Sequence, residues 1–213
     1  KKKIESLRKQ AKTSESGQVS FNDPESRLLR KGDEKVVGHN VQCSVDGKNT
    51  LIAHIGIAQA GNDTNQLEPL ARESCEALGI EPEEARPIDF TADGGYLNHG
   101  HYHRMEENHI RVQYREAEKA VAANLKERPE VYARRKELAE LPFGTMKSIW
   151  GYRQFMVTGT KGCEGELNLM AFCFNWKRVV NLVGVERLME AIEELSGRFF
   201  SRLAPACTQR ACF

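Results

Sequence analysis

The stretch Ile88-Asp89-Phe90-Thr91-Ala92-Asp93-Gly94-Gly95-Tyr96 decides how the chain folds. Its first residues suit a short buried strand, and Asp93 falls at the strand's carboxyl end. A carboxylate there is held rigidly and faces the open edge of a sheet, where α/β proteins bind their ligands. Gly94 and Gly95 let backbone or ligand approach closely. An Asp-Gly turn without chemistry explains the same residues equally well.

Upstream, residues 37–58 read as a β-hairpin. Val41, Cys43 and Val45 alternate with polar residues, Asp46-Gly47 makes the turn, and Leu51, Ala53, Ile55 and Ile57 alternate on the return strand. Asp46 is therefore assigned to turn chemistry. Gly61-Asn62-Asp63 opens a helix with Leu67, Leu70, Ala71 and Leu78 on its apolar side, and Gly79 ends it. Asp23-Pro24-Glu25-Ser26-Arg27 reads as a helix start with Asp23 as its cap, a structural role preferred to a catalytic one. Residues 1–35 are otherwise polar. Lys1 to Lys12 carries six cations against Glu5 and suits the end of a helix, and Ser14 to Asn22 is linker-like.

Downstream, His99, His101 and His103 alternate. On a strand they would share a face and suit a transition metal; in a polar, glycine-containing loop they hold none, and that reading is preferred. Residues 111–141 are expected to be helical. Their last part runs into Arg134-Arg135-Lys136-Glu137-Leu138-Ala139-Glu140-Leu141-Pro142-Phe143-Gly144-Thr145-Met146-Lys147. At about 100° per residue Glu140 and Lys147 return to nearly the same face, which Tyr132 and Lys136 share. A carboxylate ringed by cations suits a metal ligand among phosphate-binding groups, and it equally suits a salt-bridged solvated helix. Pro142 is expected to kink or end this helix. Thr158-Gly159-Thr160-Lys161-Gly162 reads as a glycine-rich loop without P-loop spacing. The last clear helix is placed from Gly165, with Leu169, Phe172, Cys173, Trp176, Val179 and Val180 as its buried stripe, and a short helix after Gly184.

A chain of 213 residues can bury a sizeable core, and its net charge of +1 creates no global field toward nucleic acid. Basic patches at Lys1–Lys12 and around Arg134 can still bind phosphates. No apolar run reaches membrane-spanning length, and no signal peptide is expected. The six cysteines, Cys43, Cys75, Cys163, Cys173, Cys207 and Cys212, form no Cys-x-x-Cys pair. Cys43 and Cys173 read as buried thiols in a reducing cytoplasm.

Several blocks, taken in order, resemble the DDE transposases of bacterial insertion sequences. They are Asp23 to Arg27, Gly38-His39-Asn40-Val41-Gln42 with Val45-Asp46, Gly61-Asn62-Asp63, Asp93-Gly94-Gly95-Tyr96, Glu140 to Lys147, and Asn175-Trp176-Lys177-Arg178. The resemblance implies an α/β fold, a ribonuclease-H-like mixed sheet flanked by helices. It implies two-metal phosphoryl transfer on DNA with Mg²⁺, or Mn²⁺ as substitute, in a nucleoid-associated homodimer. Asp93 matches the second catalytic acid and Glu140 the third; Tyr132, Arg134, Arg135, Lys136 and Lys147 are the implied DNA-binding residues. Arg135 lies one residue too far from Glu140 for the family's tyrosine–arginine–glutamate–lysine signature, and Lys136 occupies that register.

The first acid is expected upstream of Lys1, with Asp46 matching only a hairpin aspartate, and a strand is expected to be missing between His99 and Arg111. The chain accordingly reads as a fragment inactive alone. Its parts are a polar insert at 1–35, a catalytic domain at 36–185 and a C-terminal helix and tail at 186–213. A non-catalytic DNA-binding remnant and an unrelated metal-dependent phosphohydrolase are the alternatives.

Overall fold

Alternation of apolar and polar residues on two neighbouring strands creates the sheet around which the first part of the chain packs. The computed structural model describes residues 2–13, 19–31, 34–96, 98–113, 138 and 140–207. These divide into two units, Lys1–Phe174 and Asn175–Phe213.

In the first unit, helix α1 spans Lys2–Thr13, β1 Arg27–Lys31 and β2 Glu34–Gly38. Strands β3 (Asn40–Val45) and β4 (Ile52–Ala58) form the expected antiparallel hairpin, with Val41 opposite Ile57 and Cys43 opposite Ile55. A register shift at Ser44/Val45 sets Ile52 opposite Val45. Asp46 closes the turn as expected, its two carboxylate oxygens accepting the Lys48 and Asn49 N–H groups at 3.2 and 2.7 Å.

The two faces of this hairpin differ. Val41, Cys43, Ile55 and Ile57 join Ile52 in a core with Leu167, Ala171 and Phe174. Burial there pushes the Cys43 thiol up to about 12. Gln42 and Ser44 are also buried, and they bond Asp63 and Ser74. Helix α2 (Leu67–Leu78) carries Ser74 and ends as expected at Gly79, in the left-handed region at φ +62°. Its Leu67, Ala71 and Cys75 pack into a second core with Tyr102, Met105, Ile110 and Val112. Each fully buried aliphatic side chain of this kind contributes about 1.5–3 kcal/mol.

That second core belongs to a parallel βαβ unit: β5 (Ile88–Thr91), α3 (His99–Glu107) and β6 (Ile110–Gln113). The strand expected to be missing is therefore present. His99 to Arg111 holds a helix and the first half of a strand because Asn98 starts the helix at once, its Oδ1 accepting the N–H groups of Gly100 and His101. Arg104 of α3 reaches Glu68 of α2 at 2.7 Å and His101 reaches the same carboxylate at 3.2 Å, which fixes the two helices together. The three histidines thus lie on a helix and not on a strand face.

The chain is mixed α/β, as expected, but the described strands do not form one sheet. The hairpin and β5 lie in separate two-stranded sheets; α2 packs against the hairpin and shares a core with the β5–β6 pair. A further antiparallel pair, β1–β2, replaces the helix expected after Asp23: Pro24-Glu25 is a turn, and Arg27 already pairs with Gly38. Helix α4 runs Thr160–Val183 and so begins inside the expected glycine loop. Its buried residues are Cys163, Leu167, Ala171 and Phe174. Leu169, Phe172, Cys173 and Trp176 are exposed, against expectation, because the hairpin takes the less apolar face of this helix. Leu78 of α2 is likewise exposed. In the second unit, Gly184 (φ +82°) separates the end of α4 from α5 (Val185–Cys207), a long helix rather than a short one. No described helix is long and apolar enough to cross a membrane.

Candidate active site

Asp93 lies two residues past β5, at the carboxyl end of a parallel strand pair, and is exposed. Open α/β sheets bind ligands at this edge. The turn after it is fixed from two directions. The Tyr96 N–H donates to the Asp93 carbonyl at 3.0 Å, and the Tyr96 hydroxyl donates to Gln42 Oε1 at 2.5 Å. Gln42 in turn donates to Asp63 Oδ1 at 2.8 Å, and Asn40 donates to the same oxygen at 3.0 Å. Burial pushes the Tyr96 phenol far above its usual range, and the negative charges of Asp63 and Asp93 add to the shift. Tyr96 therefore stays a protonated donor, with two carboxylates in its surroundings.

Sequence reasoning assigned Asp93 and passed over Asn40, Gln42, Asp63 and Tyr96 as a group. The signal was available: Asn40, Gln42 and Ser44 occupy the alternate positions of a strand whose other face is apolar, so their face needed polar partners. A carboxylate at an exposed strand end offers the oxygen ligands that hard divalent ions take.

Glu140 is exposed in a helical stretch at 140–144. Pro142 does not end that stretch. It is fully buried, and the chain continues as a π-helical turn, Thr145–Ile149, with the Trp150 N–H donating to the Thr145 carbonyl at 3.0 Å. A π turn is wider than an α turn, so the 100° arithmetic linking Glu140 to Lys147 stops at Thr145. Lys147 is exposed, and its ammonium lies 5.5 Å from the centre of the Phe143 ring. Tyr132, Arg134, Arg135 and Lys136 lie outside the described residues.

A second polar centre lies elsewhere in the first unit. Asp23 Oδ2 sits 2.8 Å from His39 Nε2 and accepts the Gly159 N–H at 3.1 Å. Glu25 accepts the Thr160 N–H at 2.5 Å. Asp23 and Glu25 thus bond the backbone N–H groups that open α4, a helix distant in sequence, instead of capping a helix of their own. Burial opposes the Asp23 charge, but hydrogen bonds from His39, Gly159 and Glu25 outweigh it and hold the carboxyl below its ordinary value. Cys163, one turn into α4, completes the group; its thiol donates to the Val157 carbonyl at 3.5 Å. Phe155 stands edge-on to the His39 ring.

No curated protein and no solved structure matches the chain. The family model described as the transposase DDE domain matches residues 12–176. That span takes in the β3–β4 hairpin, the βαβ unit with Asp93 and the helical stretch with Glu140. The chain belongs to the DDE transposase family, whose members depend on divalent metal and serve DNA transposition.

Proposed function

We propose that this chain supplies Asp93 and Glu140 as metal ligands to an insertion-sequence transposase, which carries out phosphoryl transfer on DNA, cleaving strands and joining them to a target. Family membership makes DNA the substrate. The observation that carries the residue assignment is the place of Asp93 at the carboxyl end of β5, in a turn tied down by Tyr96 and Gln42. A ligand must be held to within about half an ångström for productive geometry, and buried hydrogen bonds behind the turn supply that rigidity.

In this reading Asp93 and Glu140 hold Mg²⁺, or Mn²⁺ in its place; when bound, the ion polarises the phosphoryl oxygens and lowers the pKa of an attacking water or hydroxyl. Asp63 and Asp93 both place negative potential at the Tyr96 hydroxyl. Lys147, with Arg134, Arg135, Lys136 and Tyr132, holds the DNA backbone. Each phosphate contact releases about one counterion, so each cation removed should lower the salt slope of binding by roughly 1. A homodimer brings two element ends together.

DNA carrying the element's ends, titrated across salt with Mg²⁺ or with chelator, tests the proposal. Metal-strengthened binding that Asp93→Asn and Glu140→Gln abolish, together with a shallower salt slope in Lys147→Ala, is expected. Binding of equal strength with chelator, unaltered by both acid substitutions, would reduce the chain to a non-catalytic DNA-binding remnant.

A further inference from the structure

We propose that Asp23, His39 and Cys163 form a second metal site, for a borderline transition ion of the zinc class. It uses neither Asp93 nor Glu140 and holds whether or not the phosphoryl-transfer assignment does. One ligand atom from each of the three residues lies within 4.8 Å of the other two. The edges of a tetrahedral zinc site with nitrogen, oxygen and sulfur ligands are roughly 3.3–3.8 Å, from bond lengths of about 2.0–2.3 Å. Asp23 Oδ2 and His39 Nε2, now hydrogen-bonded at 2.8 Å, would part by roughly half an ångström to admit the ion, and the thiol, within 4.8 Å of both, would close by at most about 1.5 Å.

The donor set selects the ion. Imidazole, thiolate and carboxylate together are the ligands of zinc-class ions, whereas Mg²⁺ takes oxygen and keeps its waters. Charge points the same way. Asp23⁻ and Cys163⁻ would balance a 2+ ion with His39 neutral. The negative potential of Asp23, Glu166 and Glu25 at the Cys163 sulfur, which together with burial disfavours a bare thiolate, becomes favourable once a cation is present.

His39 supplies a further sign. Its side chain is only 4% exposed, and its Nδ1 is buried without a hydrogen-bond partner. Buried imidazole nitrogens are normally satisfied. An ion taken by Nδ1 after the ring turns over would satisfy that nitrogen, whereas ligation through Nε2 would leave it as it is.

The site would join three segments: the turn before β1, the residue between β2 and β3, and the first turn of α4. Three protein ligands leave a fourth position for water or an outside ligand. Binding releases the thiol proton to solvent as the Cys163 sulfur–metal bond forms.

Cobalt(II) added to the purified full chain provides the test, because a cobalt–thiolate bond has a near-ultraviolet charge-transfer band and tetrahedral cobalt a strong visible one. The expected result is both bands at one ion per chain, unaffected by a hundredfold excess of Mg²⁺ and bleached by zinc. Cys173→Ser should keep them, while Cys163→Ser and His39→Gln should each lose the charge-transfer band or weaken cobalt binding at least tenfold. Far-ultraviolet circular dichroism selects the variants that keep their fold; if Cys163→Ser unfolds, His39→Gln and Asp23→Asn carry the same test. No thiolate band in the wild-type chain, or a band that survives in folded Cys163→Ser, would overturn the proposal.

Discussion

Replacing Gln42 by alanine tests the support behind Asp93 without touching Asp93. Gln42 is 6% exposed and makes three side-chain hydrogen bonds: it accepts from Tyr96 and donates to Asn40 and Asp63. A typical bond of this kind contributes about 1 kcal/mol net, and a buried donor left without a partner costs about 1–3 kcal/mol. Asp63 keeps its bond from Asn40, so the main orphan is the half-buried Tyr96 hydroxyl. The expected cost of Gln42→Ala is about 3 kcal/mol. Tyr96→Phe removes that hydroxyl and should cost only about 1 kcal/mol. In the Tyr96→Phe background the Gln42→Ala change should become cheaper by about 1 kcal/mol, because no orphan hydroxyl remains. Urea unfolding reads all three values as midpoint shifts at constant slope. A Gln42→Ala cost under about 0.5 kcal/mol, or strict additivity with Tyr96→Phe, would refute the buried-network reasoning.

Two further changes probe the start of α4. Gly159 has φ +83°, and a Cβ there would meet Glu25 Oε2 at 3.2 Å, so Gly159→Ala should cost about 1–2 kcal/mol in urea unfolding. The Asp23 carboxyl is held below its ordinary value of 3.8 in the folded chain, so its contribution to stability is fully present above that value and is lost as pH falls through the lower folded one. Unfolding followed from pH 6 downward should show this acid loss, with Asp23→Asn giving a flatter profile.

The hairpin was legible because strict alternation met an Asp-Gly turn, and α2 because Leu67, Leu70 and Ala71 repeat at helical spacing before a glycine stop. The β1–β2 pair was not. Its apolar residues come in doublets, Leu28-Leu29 and Val36-Val37, and Asp23-Pro24 imitates a helix start; Gly32-Asp33 between the doublets was the hairpin signal passed over. Helix α4 was recognised with its buried face misassigned. Leu169, Phe172 and Trp176 are more apolar than Cys163, Leu167 and Ala171, and tertiary packing against the hairpin overrode that preference. The place of Asp93 could be read locally, since a strand followed by Asp-Gly is one continuous stretch. The joining of Asp23, His39 and Cys163 could not, because only the fold brings such distant residues within a few ångströms.

Iron(II)-directed backbone cleavage tests the central claim most directly. Fe²⁺ substitutes for Mg²⁺ at carboxylate sites, and ascorbate with peroxide then generates radicals that cut the chain next to the bound ion. The account predicts cuts near both Asp93 and Glu140, suppressed by excess Mg²⁺ and lost together in Asp93→Ala, because one ion would be held by both residues. Cuts near Asp23, His39 and Cys163 would belong to the second site and would survive that substitution. Cleavage near Asp93 with none near Glu140, or Glu140 cuts that persist in Asp93→Ala, would contradict a shared metal centre.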